Sequence, residues 1–365
     1  MSQKIAIFVP TMEAGGAERV AVSLIKGFLH HGIKVDLVLV SAAGPLLKQL
    51  PVGVTVVNLR KERTIYSVCK LRAYLKKEQP NALISLMNHA NVVAVISGVL
   101  SRFKGHIMIT EHNSIQFDLV RKDGFKSRAM LVLMRLIYKY ADSVVAVSNG
   151  ILKELQTVLA LKNAVCIYNP VDVPRVVDGN TNNTSSGASE PDAFKTIVAI
   201  GRLSPQKNYQ LLIKSFHLIR DSVPARLHIL GEGNERPRLE KMIDDLSLHG
   251  LVTLQGFMTA PFNWLQKADL FVLSSSWEGF GLVIAEALAM GVTVVATDCH
   301  TGPAEILENG KYGYLVPVND PDKMAEAIIH ALKNPMDPDM LKKRAEEFSI
   351  PHITKQYLKV IFPDG

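Results

Sequence analysis

Glu278 and Glu286 stand eight residues apart around the turn Glu278-Gly279-Phe280-Gly281, in a segment that is otherwise almost wholly apolar. A carboxylate inside an apolar helix is costly unless something donates hydrogen bonds to it, and the vicinal hydroxyls of a sugar would do so. A helix-terminal acid held by the local dipole is the simpler alternative. Arg202 and Lys207 lie together in GRLSPQKN. A guanidinium and an ammonium converging on one spot suit a diphosphate, at about 1.5–3 kcal/mol per charged hydrogen bond, whereas taken singly they are solvated loop charges. Gly15 and Gly16 separate the apolar run KIAIFVP from the helical pattern AERVAVSLIKGF. Their amides can meet a phosphate with no Cβ in the way, although a turn that merely needs glycine explains them too. His112, beside Glu111 in ITEHNS, brings a side chain that titrates near neutrality. Gly231-Glu232-Gly233 after RLHIL sits similarly at a strand end, where a simple turn serves equally well.

These residues need elements to hold them, and apolar runs of strand length alternate with longer helical patterns along the chain. The first series is KIAIFVP, a helix over 17–30, VDLVLVS, a helix over 66–77, ALISLM, HIMITEH, a helix over 127–140, SVVAVS and AVCIYNP. The second is TIVAIGRL, a helix over 209–220, RLHILGEG, a helix over 236–248, VTLQGF, ADLFVLSSSW, a helix over 282–290 and a strand over 292–297. Such alternation predicts an α/β fold with parallel sheets, whose ligands bind at the carboxyl edge. Between the series, VDGNTNNTSSGASEPD is polar and without hydrophobic period, which predicts a linker. The expected divisions are a domain over 1–172, a linker over 173–194, a second domain over 195–345 and a terminal helical segment over 346–365 that crosses back to the first domain.

Composition narrows the function classes. Residues 1–172 hold 22 Lys and Arg against 11 Asp and Glu, net +11, while residues 173–365 hold 19 against 23, net −4. The first domain should therefore attract anions. Arg128, Arg135 and Lys139 fall on one helical stripe beside MLVLM, a pattern that suits an anionic membrane surface or an ordinary solvated face. The basic segments lack interleaved aromatics, so no nucleic acid is expected as partner. Three cysteines, far apart, argue against a disulfide framework or structural zinc. The DxD strings at 320–322 and 337–339 each enclose a proline and read as helix caps rather than metal ligands. No apolar stretch reaches the roughly 20 residues of a membrane span, and no export leader is evident, so a cytoplasmic location is expected. Spacing of the first glycines departs from G-x-G-x-x-G and no acid ends the second strand, which disfavours a nicotinamide dinucleotide.

The segments AGGAERV, GRLSPQKN, LGEGNER, QGF at 255–257 and above all EGFGLVIAEALAMGVTVVAT, with its two glutamates eight apart, resemble the retaining nucleotide-sugar glycosyltransferases of family 4, of bacterial surface-polysaccharide and glycolipid type. The resemblance covers nearly the whole chain. It implies the GT-B fold, with two Rossmann-like domains facing a cleft, the first for acceptor and the second for nucleotide sugar. Arg202 and Lys207 match the diphosphate-binding pair, Glu286 the ribose ligand, and Glu278 a contact to the transferred sugar. Phe280, Gly281 and Leu282 would approach donor sugar or phosphates, Gly16 the phosphate side, Phe257 the base, and His112 the reaction centre. The implied activity moves a hexose or N-acetylhexosamine from a nucleotide diphosphate sugar, UDP before GDP, to a hydroxyl of a lipid-linked, lipopolysaccharide or other glycan acceptor. No metal or cofactor is implied, the anomeric configuration is retained, and front-face attack is favoured. A sugar-nucleotide epimerase on the same fold is the alternative, and a nicotinamide-dependent oxidoreductase the more distant one.

Overall fold

The computed structural model describes residues 3–13, 15–120, 124–172, 194–258 and 261–363. The linker read at 177–192, with Arg121 and Lys122 of the basic cluster, lies outside the described residues. The chain divides into two compact units, Met1–Val171 with Phe348–Gly365, and Asp172–Glu347.

In the first unit the strands are β1 (Lys4–Val9), β2 (Lys34–Leu39), β3 (Val54–Asn58), β4 (Ala82–Leu86), β5 (His106–Glu111), β6 (Ser143–Ala146) and β7 (Ala164–Cys166). The helices between them are α1 (Gly16–His30), α2 (Val68–Glu78), α3 (Asn88–Ser101), α4 (Phe125–Ile137) and α5 (Asn149–Val158). All seven strands pair in parallel in the order β3-β2-β1-β4-β5-β6-β7. The central strands are continuous apolar runs because helices cover both faces of a parallel sheet. β3, by contrast, is a half-exposed edge strand whose VTVVN has no uninterrupted buried face, and sequence periodicity passes over it.

The second unit repeats the plan. Its strands are β8 (Lys195–Ile200), β9 (Ala225–Leu230), β10 (Val252–Gly256), β11 (Leu270–Leu273), β12 (Val294–Thr297) and β13 (Tyr314–Val316), in the order β10-β9-β8-β11-β12-β13. Its helices are α6 (Tyr209–Ile219), α7 (Arg236–Asp245), α8 (Phe262–Leu265), α9 (Leu282–Ala289), α10 (Pro303–Ile306), α11 (Pro321–Lys333) and α12 (Pro338–Glu346). α6, α7 and α11 share a core with β8, β9 and β11, built on Leu212, Phe216, Leu239, Leu270 and Ile328. Asp320 and Asp337 cap α11 and α12 through the amides of Lys323 and Asp339, which accounts for both DxD strings.

A last helix, α13 (Ile350–Ile361), belongs to the first unit and packs on α1. The two approach so closely that a Cβ on Gly27 would lie 2.0 Å from Thr354 Oγ1. Phe28 and Tyr357 meet edge to face beside that contact. The Val171 amide donates to the Phe348 carbonyl at 2.7 Å, fastening the two ends of this unit's chain together.

The order of strands reverses between β1 and β4 in one unit and between β8 and β11 in the other. At such a switch point the loops leave in opposite directions and open a crevice at the carboxyl edge. The residues singled out by sequence fall at these edges.

Candidate active site

In the second unit, β11 is shorter than the apolar run suggests. Pairing stops at Leu273, and 274–281 form an extended loop whose serines replace the missing ladder. Ser274 Oγ donates to the Lys207 carbonyl at 2.9 Å, the Ser276 amide to the Gln206 carbonyl at 2.8 Å, and Gln206 Nε2 to the Trp277 carbonyl at 2.9 Å. The loop after β8 and the loop after β11 are thus laced together across the switch point. Lys207 Nζ reaches Glu278 Oε1 at 2.5 Å, and Ser275 Oγ donates to the same oxygen at 2.6 Å. Both side chains of the ion pair are largely buried.

Glycine is required where α9 begins. Gly281 adopts φ +95°, which turns the chain into the helix. Gly302, at φ +91°, lies against the Phe280 carbonyl so closely that its Cβ would stand 2.1 Å from that oxygen. Thr301 Oγ1 donates to the Glu278 carbonyl from the same segment. The EGFG turn is therefore fixed from below as well as from the side. Phe280 and Gly281 are buried, Leu282 is half-buried, and Glu286 is 1% exposed within α9.

Arg202 follows β8 and is exposed, with no ion pair among the described residues. A side chain at Gly201 before it would displace the ends of Tyr209 and Lys207, since a Cβ would lie 2.9 Å from Tyr209 OH and 3.0 Å from Lys207 Cε. Gly231 in turn approaches Gly201, its would-be Cβ 1.9 Å from the Gly201 carbonyl oxygen. Phe257 stands exposed just past β10, two strands from β8. Arg202, Lys207, Glu278, Phe280, Gly281, Leu282 and Glu286 thus share one edge, while Phe257 lies toward its end. Tyr209 was not apparent from sequence. It is 4% exposed, its hydroxyl has no hydrogen-bond partner among the described residues, and burial raises its pKa above the usual phenol value. An aromatic at the start of an apolar helix gives no signal that its hydroxyl ends beside Gly201.

Gly16 and His112 belong to the first unit. Gly16 opens α1, exposed and with open space around it, whereas the neighbouring Gly15 is hemmed in by the Glu18 carboxylate, 2.3 Å from where a Cβ would stand. An acid in the first turn already answers the helix dipole there. His112 directly follows β5. Its Nε2 lies 2.8 Å from Thr110 Oγ1, and that hydroxyl donates its single hydrogen to the Ser85 carbonyl at 3.1 Å. Nε2 must then be the protonated nitrogen, and Nδ1 keeps a lone pair for a hydroxyl donor. Burial pushes the His112 pKa down to about 4, so the ring is neutral at physiological pH. Downstream, Ser114 Oγ donates to Glu154 Oε1 at 2.7 Å and the Gln116 amide to Glu154 Oε2 at 3.2 Å, which ties the loop after His112 to α5.

In the second unit the arrangement offers a cationic, hydroxyl-lined edge beside a buried acid, which can hold a diphosphate leaving group and sugar hydroxyls. The first unit carries a neutral imidazole at its own sheet edge. Among the described residues no group of three or more His, Cys, Asp or Glu side chains is placed to hold a metal ion.

Known proteins point the same way. The family profile for glycosyltransferase family 4 matches residues 14–175, and that for glycosyl transferases group 1 matches residues 182–348. The chain is 28% identical over 379 residues, 98% of its length and 99% of the relative's, to an N-acetylgalactosaminyltransferase of Campylobacter jejuni that acts on a diacetylbacillosaminyl-diphospho-undecaprenol glycolipid. It is 25% identical, over 95% of its own length and 96% of the relative's, to a lipopolysaccharide core biosynthesis glycosyltransferase of Rhizobium meliloti. Among solved structures, the Anabaena protein HepE in complex with UDP and glucose superposes with a TM-score of 0.75 at 21% identity, covering 98% of both chains. With both halves of the chain matched by these profiles and its two parallel-sheet units sharing the neighbours' architecture, the protein belongs to the family 4 type of glycosyltransferases with the GT-B fold.

Proposed function

We propose that the enzyme transfers a hexose or N-acetylhexosamine from a UDP-sugar to a hydroxyl of a lipid-linked or lipopolysaccharide-type glycan acceptor, with retention of anomeric configuration and without a metal. The observation that carries this reading is the convergence of Arg202, the Lys207–Glu278 pair and Glu286 on one sheet edge at the switch point of the second unit. Arg202 and Lys207 would take the diphosphate, Glu286 the ribose hydroxyls and Glu278 the sugar, with Phe280, Gly281 and Leu282 beside the donor and Phe257 toward the base. As the glycosidic bond breaks, negative charge grows on the departing diphosphate where those cations stand, and positive charge grows on the sugar ring. Stabilising both without moving solvent is the largest electrostatic contribution available to such a site. His112, neutral and with Nδ1 as acceptor, would orient a sugar hydroxyl near the reacting carbon, and Gly16 would leave room for the phosphate side. Front-face attack by the acceptor is the route we favour.

The named substrate of the Campylobacter relative, a diphospho-undecaprenol glycolipid, and the lipopolysaccharide core role of the Rhizobium relative support a lipid-borne acceptor. α4 supports contact with an anionic membrane at the inner face of the cytoplasmic membrane. Only Met134 of that helix is fully buried, so MLVLM is not a simple core stripe. Phe125, Val132, Leu136 and the following Tyr140 are exposed, with Arg128, Arg135 and Lys139 beside them. Apolar side chains entering the headgroup region between cations that meet lipid phosphates is how an amphipathic helix lies on a membrane. No helix among the described residues is long and apolar enough to cross one.

The test combines binding and turnover. Thermal unfolding with UDP at 100 times its dissociation constant should add about 2.7 kcal/mol, and Glu286→Ala should abolish the shift. Transfer from labelled UDP-sugars to a polyprenyl-diphosphate-linked saccharide in anionic vesicles, with the anomeric proton coupling of the product read by NMR, then identifies donor and stereochemistry. Sugar released or epimerised equally well with no acceptor present would favour the epimerase instead, and no shift with any nucleoside diphosphate would end the reading.

A further inference from the structure

Glu111 neighbours His112 in sequence, yet its side chain turns inward and not toward the sheet edge. It is 2% exposed, and its Oε1 accepts a hydrogen bond from Asn91 Nδ2 at 2.9 Å and a second, short one from the Tyr138 hydroxyl. Asn91 and Tyr138 are both fully buried. The other Asn91 amide hydrogen goes to the Thr110 carbonyl at 2.9 Å, and Tyr138 OH also lies 3.4 Å from the Asn88 carbonyl. Three elements meet at this one carboxylate: Asn91 in the first turn of α3, Glu111 at the last position of β5, and Tyr138 in the turn that follows α4.

The position of the cluster is informative. β4 and β5 pair so that Leu86 faces Thr110, which sets the β4–α3 turn, Met87-Asn88-His89, beside Glu111 and His112 at the carboxyl edge. That turn is strained. Met87 adopts φ +81° and ψ +138°, a conformation costly for any residue with a Cβ. His89 beyond it is exposed, with Nδ1 3.3 Å from Asn88 Oδ1; since that oxygen only accepts, His89 Nε2 carries the free lone pair. A buried carboxylate and two buried polar side chains could be replaced by apolar groups at no loss of stability. Their geometry does something an apolar core would not: Asn91, in the helix that the strained His89 turn opens, fastens that turn to the end of β5, Tyr138 holds the same carboxylate from the far side, and Thr110, held at its carbonyl by Asn91, holds the His112 ring through its hydroxyl.

We propose that Asn91, Glu111 and Tyr138 form a positioning network that sets His89 and His112 at the acceptor edge of the first unit, so that Glu111 serves the transfer step through those two rings and never touches the donor. The inference rests on the transferase reading above. Its reach is to the geometry of reaction, where a small misplacement costs one to two orders of magnitude in rate, and not to nucleotide binding, which lies in the second unit.

The experiment uses the full chain with the UDP-sugar and vesicle-borne acceptor that the wild type accepts, and compares Glu111→Gln, Glu111→Leu and Tyr138→Phe. The expected result is a kcat reduced tenfold or more in Tyr138→Phe and Glu111→Leu, a smaller loss in the near-isosteric Glu111→Gln, and donor KM and UDP thermal shift within twofold of wild type in all three. Glu111→Gln preserves shape and one acceptor oxygen, so it keeps the test open if Glu111→Leu fails to fold. An active wild type whose Gln and Phe variants retain kcat within twofold overturns the inference alone, as does a parallel loss of UDP affinity. A wild type with neither UDP shift nor transfer overturns the transferase reading and this inference with it.

Discussion

Replacing Glu111 by glutamine should change how the stability of the first unit depends on pH, by an amount that follows from two opposed side chains. Burial pushes the Glu111 carboxyl from an ordinary 4.5 up to about 7, against the downward pull of its bonds from Tyr138 and Asn91. Burial pushes His112 from 6.5 down to about 4. Between pH 4.5 and 7 the folded state keeps a proton on Glu111 that the unfolded chain has released, so this group makes stability fall as pH rises. Between pH 4 and 6.5 the unfolded chain holds a proton on His112 that the folded state excludes, so this group makes stability rise. Each shift spans roughly 2.5 pH units, or on the order of 3 kcal/mol, and the two nearly cancel in the wild type from pH 4.5 to 6.5. Glu111→Gln removes only the falling slope. Relative to wild type, the variant should gain about 3 kcal/mol between pH 4 and pH 8, whatever the rest of the chain titrates, because other groups drop out of the difference. Denaturant unfolding by far-UV circular dichroism reads it. Both tryptophans, Trp264 and Trp277, belong to the second unit, so their fluorescence provides a transition that the substitution should leave in place. A variant-minus-wild-type difference that stays flat from pH 4 to 8 would refute the argument.

Other substitutions test other parts. Lys207→Ala strands the largely buried Glu278 carboxylate and should cost about 3 kcal/mol in the second unit, most of it recovered in the double variant with Glu278→Gln, as a double-mutant cycle by tryptophan fluorescence will measure. Gly302→Ala forces a methyl into the Phe280 carbonyl and demands a left-handed φ besides; the expected outcome is a loss of about 2 kcal/mol or more together with the UDP thermal shift, by calorimetry. Leu136→Glu on α4 should reduce co-sedimentation with anionic vesicles at least tenfold, and raising the salt from 0.05 to 0.5 M should weaken the wild type similarly; equal binding to neutral vesicles would count against the membrane face.

Much of the architecture was legible because it depends on patterns that neighbouring residues share. The apolar runs of β1, β4, β8 and β12 carry the period of buried parallel strands, and α6 and α9 begin where the helical pattern starts. β3 escaped because an exposed edge strand has no buried run, and β11 ended early because the serines after Leu273 bond to the loop before α6 and not to a neighbouring strand. At the site, residue type and spacing marked Arg202, Lys207, Glu278 and Glu286. They could not reveal that Lys207 and Glu278 are partners, since 71 residues separate them and only the adjacency of β8 and β11 joins them. Tyr209, Thr110 and Tyr138 were invisible for a related reason: each is an ordinary helix or strand residue whose hydroxyl matters only through what lies across from it.

The closure of the first unit by α13 has a consequence for how the chain is made. α1 emerges from the ribosome well before α13, with Gly27 and Phe28 shaped to receive a helix whose residues have not been translated. Residues 172–347, the whole of the second unit, come between. At bacterial and eukaryotic elongation rates that interval is on the order of 10–35 s, long enough for the second unit to complete its own core while the first still exposes an apolar groove along α1. A stop after residue 347 but before α13 would leave the second unit complete and the α1 face of the first unit, at Gly27 and Phe28, without the helix that covers it.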